Sequence, residues 1–243
     1  MSVASDANPG NGNIHSEHSP YSGVDHLEIL ADARNYNKFL TDQVIRNGRG
    51  AVSALDFGAG IGTFSVALRA AGKRVVCVEP DLNLLDRLRR LGFEAYSNVD
   101  EIKPVSLDYV YSLNVLEHVE DDLQVLKRLA SRMRPGGRLL LYVPAFDILY
   151  SSMDKKVGHF RRYRRPILVP LLKKAGLRVE RAIYVDSLGF GIALIYKLFG
   201  NREGNLNPRM VKFYDSFIFP VSRMLDHLSF GTFGKNLLIT ARR

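Results

Sequence analysis

The chain has 243 residues, of which 46% are hydrophobic and 24% charged, so it holds enough apolar material for the core of one large domain. This composition excludes an extensively disordered protein, and the single cysteine, Cys77, excludes a disulfide framework and a cysteine-based zinc site. The net charge of +9 admits an anionic partner: nucleic acid, anionic lipid or an acidic small substrate.

The first twenty residues differ from the rest of the chain. They are rich in Ser, Asn, Gly and Pro, and Val3 and Ile14 are their only large aliphatic residues, which predicts a disordered tail at 1–20. The tail has neither the basic start nor the apolar stretch of a secretion signal, so we expect a cytoplasmic protein. Residues 21–243 are expected to form a single domain.

The domain begins with helical spacing of apolar residues, which predicts one or two helices within 21–50. The predicted core, 51–187, then alternates strands and helices. Its strands are expected in AVSALDF, RVVCVEP, FEAYS, LDYVYSL, GRLLLYVP (after the turn RPGG) and LRVERAIYV. Its helices are expected in GTFSVALRAAG, DLNLLDRLRRLG, DDLQVLKRLASRM and ILVPLLKKAG, with Asp81 as the N-cap of the second.

These strands are apolar throughout instead of alternating with polar residues. That pattern is typical of a parallel sheet covered by helices on both faces. Because crossovers between parallel strands are right-handed, the expected fold is an open, doubly wound α/β sheet. The terminal segment KNLLITARR, within 234–243, predicts one more strand.

An apolar segment at 188–233 separates the last two strands. Glycines and Lys197 interrupt its first part, which is too short and broken for a transmembrane helix. We expect a helical insertion with three roles open: a lid over the substrate site, a homodimer face, or a surface for peripheral association with an anionic membrane.

The stretch ALDFGAGIGTFS, residues 54–65, lies at the end of the first predicted strand. Gly58, Gly60 and Gly62 permit backbone angles closed to other residues and let a ligand lie against the main chain. Ligands of such sheets bind beyond the carboxyl ends of the strands. The dinucleotide fingerprint requires its third glycine at position 63, which is Thr63.

The segment LDFGAGIG resembles the first motif of class I S-adenosylmethionine-dependent methyltransferases. Other landmarks follow in order: Glu79 at the end of VVCVEP, then SLNVLEHVEDD and RPGGRLLLYVP, which are similar to motifs of the small-molecule branch, the type 11/12-like methyltransferases. Together they cover about residues 51–145. The resemblance implies a Rossmann-like, mostly parallel seven-stranded sheet of order 3-2-1-4-5-7-6, with an antiparallel last strand.

The same resemblance implies S-adenosylmethionine as cofactor and S-adenosylhomocysteine as product. In the family, the residue matching Glu79 accepts both ribose hydroxyls, and the one matching Asp56 binds the ammonium group; Asp56 is alternatively a helix N-cap. Asn98 is either an adenine contact or a turn residue. The cofactor residues implied are Tyr36, Asp56, Gly58, Ala59, Gly60, Gly62, Glu79, Pro80, Asn98 and Asn114.

A narrower resemblance involves ARNYNKFL and LYSSMDKKVGHFRRYRRPILVPLLKKAGL. Both are similar to a bacterial subfamily with the patterns N-Y-N-x-W, L-Y-x-x-x-D and G-H-x-R-R-Y. The chain departs from this pattern at Phe39, where Trp is common, and at Asp186, where Asn is expected. These departures bear on the substrate and leave the expected fold unchanged.

The loop after the fifth strand supplies the acceptor candidates. His159 is predicted to be the catalytic base, with a loop-fixing histidine as the alternative; for His118 we favour a structural role. Arg161 and Arg162 are expected to clamp an anionic substrate or else to be solvated. Tyr150, Asp154 and Tyr163 are candidate substrate contacts, with packing and capping as their alternatives. No metal ligands are assigned.

Three functions are compatible with the sequence. The first is O-methylation of a small or lipid-linked acceptor with an acidic group. The second is a nucleic-acid methyltransferase, suggested by the pI of 9.7, but the chain has no N-P-P-Y or D-P-P-Y motif and no added RNA-binding module, so no nucleic acid is expected as partner. The third is a non-catalytic cofactor-binding or scaffold protein.

Overall fold

The architecture is one seven-stranded sheet with helices on both faces, in a computed structural model that describes residues 24–199, 207–228 and 230–243. The tail predicted at 1–20 lies outside the described residues. The strand order is β3-β2-β1-β4-β5-β7-β6. The strands are β1 (Ser53–Phe57), β2 (Arg74–Val78), β3 (Glu94–Tyr96), β4 (Leu107–Leu113), β5 (Met133–Pro144), β6 (Arg178–Val185) and β7 (Asn236–Arg242).

The first five strands are parallel, whereas β7 runs antiparallel to both of its neighbours, β5 and β6. The predicted strand order and the antiparallel last strand are therefore confirmed. The helices are α1 (Val24–Ala31), α2 (Arg34–Asn47), α3 (Thr63–Ala70), α4 (Leu82–Arg90), α5 (Asp122–Arg132), α6 (Ser152–Lys156), α7 (Arg165–Lys174), α8 (Ser187–Phe199), α9 (Pro208–Phe213) and α10 (Phe219–Leu228).

Two apolar clusters occupy the two faces of the sheet. On β4, Val110 packs in the cluster that contains the buried leucines of α5 and α7, whereas Tyr109 and Tyr111 pack in the cluster of α2, α3 and α4. Because successive side chains of a strand point to opposite faces, a strand buried on both sides must be apolar throughout. This is why the strands lack polar alternation.

The segment RPGG was predicted as a turn before the fifth strand, and this boundary is wrong. It lies inside β5, where the register with β4 jumps from Leu107 opposite Met133 to Tyr109 opposite Arg138. The extra residues bulge out while β5 stays paired, because the Gly136 N–H donates to the carbonyl oxygen of Arg243 at 2.9 Å. A long-range pair thus replaces the local turn.

The segment predicted as a helical insertion contains α8, α9 and α10, with a π-helical turn at Tyr214–Ile218 between the last two. Its buried acidic side chains attach it to the core. The Asp215 carboxylate accepts the N–H groups of Asn35 at 2.9 Å and Tyr36 at 2.8 Å, at the start of α2. The Asp226 carboxylate likewise accepts the N–H groups of Asp186 and Ser187.

The insertion carries large exposed apolar side chains, from Met210, Phe213, Phe217, Met224 and Leu228, each 59% to 70% exposed. In the part of the chain that the structure describes, no helix combines the length and the apolar character needed to cross a membrane. The exposed apolar surface therefore lies on an insertion of short helices.

We predict that Asp215→Ala lowers the free energy of unfolding by about 1–2 kcal/mol, because two N–H groups at the start of α2 lose their acceptor. Urea unfolding followed by circular dichroism measures the change. Asp42→Ala is the control, since Asp42 forms an exposed ion pair with Lys38 and its loss should cost less than about 0.5 kcal/mol. Equal, small effects of both substitutions would contradict the proposed anchoring of the insertion.

Candidate cofactor and acceptor site

A cavity of about 1510 Å³ lies beyond the carboxyl ends of β1, β2, β4 and β5. The glycine loop after β1, the loops after β4 and β5, and the insertion all line it. Pockets for one drug-sized ligand typically measure about 300–1,000 Å³, so this cavity has room for a cofactor and an acceptor together.

The glycine loop has backbone angles that residues other than glycine rarely adopt. Gly58, Gly60 and Gly62 have φ angles of 79°, 53° and 85°. A Cβ atom on Gly58 would lie 2.3 Å from Cγ2 of Val115, so only glycine fits at this position. The Gly58 N–H donates to the carbonyl oxygen of Val78 at 2.9 Å, and this bond fastens the loop to the end of β2.

Glu79 follows β2 and is buried at the edge of the cavity. Its Oε2 accepts the Gly60 N–H at 2.8 Å, and its Oε1 accepts the Asp81 N–H at 3.1 Å. Burial raises the pKa of Glu79 above its ordinary value, although the two backbone hydrogen bonds oppose that shift. Each carboxylate oxygen retains a further lone pair, so the group can still accept hydrogen bonds from a ligand.

Asp56, at the end of β1, also lines the cavity. It is not a helix N-cap, because Gly62 holds that position for α3. Its Oδ2 accepts hydrogen bonds from Ser65 Oγ at 2.6 Å and from the Tyr111 hydroxyl at 2.9 Å. Burial raises the pKa of Asp56 to about 7, and contact with a cationic group would favour its ionised form.

Tyr36 and Asn114 meet above the ends of β4 and β5. The Asn114 Nδ2 donates to the Tyr36 hydroxyl at 3.1 Å, and both residues line the cavity. Asn114 has a positive φ of 54°, an angle that asparagine tolerates better than most residues. Burial raises the pKa of Tyr36 to about 12, so the hydroxyl stays protonated. Ala59 and Pro80 line the same part of the cavity.

Asn98 lies outside the cavity and is exposed. Its side-chain oxygen accepts the Asp100 N–H at 3.0 Å and caps the 3-10 turn Val99–Glu101. This arrangement matches the alternative role of Asn98 as a turn residue. It gives no support to the predicted contact of Asn98 with adenine.

A second polar part of the cavity, the acceptor end, is built from two loops. Glu117 and His118 belong to a 3-10 turn after β4, and His159 follows α6 in the loop after β5. The His159 Nε2 lies 3.8 Å from Glu117 Oε1, and the rings of His118 and His159 meet edge to face with centroids 4.6 Å apart. All three side chains line the cavity.

The ionisation of this end is set by burial. Burial raises the pKa of Glu117 to about 8, so its carboxyl group is protonated at neutral pH. Burial also lowers the pKa of His118 to about 4, with the nearby His159 as a second cause, so His118 is neutral. The end therefore holds a neutral acid and a neutral imidazole at pH 7.

Asp154 is a buried partner of His159 and does not line the cavity. Its Oδ1 lies 2.7 Å from His159 Nδ1, while Arg162 donates from Nε to Oδ1 at 2.9 Å and from Nη2 to Oδ2 at 3.0 Å. Burial alone would raise the pKa of Asp154, but the hydrogen bonds from His159 and Arg162 outweigh it and hold the pKa well below its usual range. Asp154 thereby orients His159.

Three predicted substrate contacts are used inside the protein instead. Arg161 pairs with Asp122 at 3.0 Å, and the Tyr163 hydroxyl donates to the same carboxylate at 2.9 Å. The Tyr150 hydroxyl donates to the carbonyl oxygen of His159 at 2.7 Å. Arg162 lines the cavity but is 8% exposed and engaged with Asp154. These contacts hold the loop after β5 against the loop after β4.

Several site residues escaped sequence reasoning. Glu117 was not among the predicted site residues, yet it is fully buried and faces His159. Arg209 and Lys235 line the cavity from parts of the chain without a motif. Lys235 lies 3.5 Å from Asp186, which also accepts a hydrogen bond from Tyr214. The sequence signal for this group was Asp186, an acidic residue inside an otherwise apolar stretch.

The fold is that of class I methyltransferases. A family model described as "Methyltransferase domain" matches residues 25–182, more than half of the chain, and the protein belongs to that family. The recognition made from the motifs of residues 51–145 is confirmed at this level. The finer subfamily resemblance stays a prediction.

Individual proteins resemble the chain at lower identity. An uncharacterized 37.1 kDa protein in transposon TN4556 of Streptomyces fradiae is 29% identical over 187 residues, 72% of this chain and 53% of its own length. A ubiquinone biosynthesis O-methyltransferase of Xanthomonas euvesicatoria is 28% identical over 149 residues, 52% of this chain and 62% of its own length. The chain thus spans little more than half the length of these curated relatives.

Among solved structures, a SAM-dependent methyltransferase from Archaeoglobus fulgidus superposes with a TM-score of 0.60 at 14% identity, covering 90% of this chain and 99% of its own. At this identity the likeness concerns the fold. The residues of the glycine loop and its surroundings fit S-adenosylmethionine, the cofactor of such methyltransferases: a bare backbone, a buried hydrogen-bond acceptor at Glu79 and a carboxyl group at Asp56 that a cationic ligand would ionise.

We predict that Gly58→Ala weakens S-adenosylmethionine binding by about tenfold or more in calorimetry, because the new methyl group overlaps Val115. Gly72→Ala is the control: its φ of 80° causes the same backbone strain, but nothing lies within 4 Å of the added atom. The double variant with Val115→Ala should recover part of the affinity. Equal losses in the two single variants would contradict the close approach.

Proposed function

We propose that the protein is an S-adenosylmethionine-dependent O-methyltransferase whose acceptor is a small or lipid-linked molecule with a hydroxyl group and an acidic group. One observation carries the proposal: the glycine loop, Glu79 and the cluster of Glu117, His118 and His159 all line a single cavity. A cofactor and an acceptor would thus share one cavity.

S-adenosylmethionine, when bound, supplies a methyl group on a sulfonium: the S–C bond breaks with its electron pair going to sulfur, and the acceptor oxygen forms the new C–O bond. The protein's contribution is alignment of the two reactants, which can lower the barrier by several kcal/mol. A hydroxyl acceptor must also lose its proton. A side chain at the acceptor end of the cavity would accept this proton.

His159 is the proposed proton acceptor. Its Nδ1 is held by Asp154 at 2.7 Å, so Nε2 is the ring nitrogen that would accept the proton. A carboxylate behind an imidazole fixes the ring's orientation and stabilises its protonated form. The proton would pass from the acceptor hydroxyl to Nε2, and the oxygen would keep the electron pair that attacks the methyl carbon.

The rest of the cavity favours an acceptor with an apolar body. The insertion lines it with aliphatic and aromatic side chains, including Ile192, Ile195, Met210 and Phe213. Arg209 lies at the exposed rim, with no acidic partner among the residues that the structure describes, so it suits an acidic group better than the paired Arg161 and Arg162. The relatives named ubiquinone biosynthesis O-methyltransferases agree with transfer to oxygen.

The exposed apolar side chains of the insertion favour an acceptor delivered from a lipid surface. Peripheral association with an anionic membrane is therefore part of the proposal. The alternative is that a second copy of the chain covers the same surface in a homodimer. A cytoplasmic location fits either arrangement.

The nucleic-acid alternative finds less support. The cationic side chains of the stretch HFRRYRR are largely engaged inside the protein: Arg161 with Asp122, Arg162 with Asp154, and Arg165 with backbone carbonyls and the ring of Tyr184. A nucleic-acid site needs such groups free to meet phosphates. The scaffold alternative is countered by the polar cluster buried in the cavity, which a binding platform does not require.

A labelled-methyl screen identifies the acceptor. Purified protein and labelled S-adenosylmethionine are incubated with lipid, small-acid, glycan and RNA extracts, and we expect label in the lipid extract. The labelled product should resist mild alkali, as a methyl ether does and a methyl ester does not. Label confined to RNA would contradict the proposal in favour of the second alternative, and label in no extract would favour a non-catalytic protein.

With the acceptor in hand, we predict that His159→Asn lowers kcat by about 100-fold or more, the usual contribution of a positioned base. The KM for S-adenosylmethionine should change little, because His159 is not among the residues expected to bind the cofactor. His227→Asn, on the exposed part of α10, is the control and should leave kcat unchanged. A kcat within a few-fold of the parent protein would remove His159 from the reaction.

A further inference from the structure

Three side chains with metal-binding atoms converge at the acceptor end of the cavity. The ligand atoms of Glu117, His118 and His159 all lie within 4.8 Å of one another. They come from two different loops, the turn after β4 and the loop after β5, which the pairing of Arg161 and Tyr163 with Asp122 holds together. The cluster is therefore fixed by the fold and does not depend on chance proximity along one helix.

Glu117 is the anomaly in this cluster. Its side chain is 0% exposed, and neither Oε1 nor Oε2 has a hydrogen-bond partner among the described residues. Burying a polar group without a partner is unfavourable, so native proteins pair nearly all such groups. Two unpartnered oxygens facing two imidazoles indicate a missing ligand with positive charge.

We propose that Glu117, His118 and His159 bind a divalent transition-metal ion, with Zn²⁺ as the best match. Two imidazoles and one carboxylate are a known ligand set of catalytic zinc, which keeps a further position open for water or substrate. The inference departs from the sequence-based assignment of no metal ligands. It deepens the proposed function and rests on it only for the role of the metal, not for its binding.

The surroundings of both histidines support this assignment. Metal-bound histidines commonly donate their second ring nitrogen to a carboxylate or a backbone carbonyl, which fixes the ring. His159 meets this condition through Asp154, which lies 2.7 Å from Nδ1 and is itself held by Arg162 and the Ser151 N–H. His118 meets it through hydrogen bonds to the backbone of Val157 and Gly158.

The metal would take over the step that we first assigned to His159. A metal held by Glu117, His118 and His159 would polarise an acceptor hydroxyl in its open position and lower the pKa of that hydroxyl, so that the proton could leave to solvent water. The acceptor oxygen would keep its electron pair for the bond to the methyl carbon, while the S–C bond of the cofactor breaks with its electron pair going to sulfur. No change of oxidation state is involved. His159 is then a ligand, and Asp154 is a positioning residue acting through it.

The test measures metal binding to the full chain without any activity assay. Protein stripped with a chelator is titrated with Zn²⁺ in a calorimeter, and Co²⁺ serves as a spectroscopic probe. We expect one ion more per chain in the parent protein than in the His118→Ala, His159→Ala double variant. That difference cancels any binding by histidines elsewhere, and His227→Ala is the matched control.

Each single variant, His118→Ala or His159→Ala, should weaken the site by about tenfold or more, and Asp154→Asn by about 10–100-fold. The Co²⁺ spectrum should show visible absorption bands in the parent protein and lose them in the double variant. Circular dichroism and S-adenosylmethionine calorimetry on every variant show that the fold and the cofactor end are intact.

Equal Zn²⁺ stoichiometry and affinity in the parent protein and the folded double variant would overturn the metal site. Cofactor binding would then decide the proposed function separately. If S-adenosylmethionine binds but Zn²⁺ does not, His159 is left as the base. If Zn²⁺ binds at the cluster but S-adenosylmethionine does not bind, the metal site is upheld and the proposed methyl transfer fails.

Discussion

The hydrogen bond from the Gly60 N–H to the Glu79 carboxylate is the interaction on which the site depends. It joins the loop after β1 to the residue that follows β2, at the carboxyl ends of these two neighbouring strands. The bond requires a backbone close to another chain segment, and Gly58 permits this by lying directly against Val115. A carboxylate held by main-chain groups is preorganised, so it accepts a ligand's hydroxyls without rearranging.

At the acceptor end of the cavity, carboxylates also hold the site in place, but they bind side chains instead of main-chain N–H groups. One acidic group, Asp122, holds Arg161 and Tyr163, and another, Asp154, holds Arg162 and His159. Most polar side chains of the motif HFRRY therefore hold two loops together, whereas the imidazole of this motif, His159, lines the cavity. Crowded charges in a sequence need not be a substrate clamp when each has an acidic partner in the fold.

The strands, the helices and the glycine loop could be predicted from periodicity and turn residues, because these are local properties that adjacent residues encode, whereas the sheet order was implied by the resemblance to class I methyltransferases. It was misleading at RPGG, since the pairing of Gly136 with Arg243 joins residues far apart in the chain. It was also silent on Glu117 and on Asp215. Their burial and their partners arise from loops that meet only after folding, and no spacing rule describes such contacts.

The central claim is that the glycine loop and Glu79 form an adenosyl-binding pocket. Calorimetric titration of the protein with S-adenosylmethionine, with NADH as the competing ligand, measures this directly. The account predicts binding of one S-adenosylmethionine per chain, an affinity loss of about tenfold or more in Glu79→Ala, and no heat with NADH. Tight NADH binding without S-adenosylmethionine binding would contradict it.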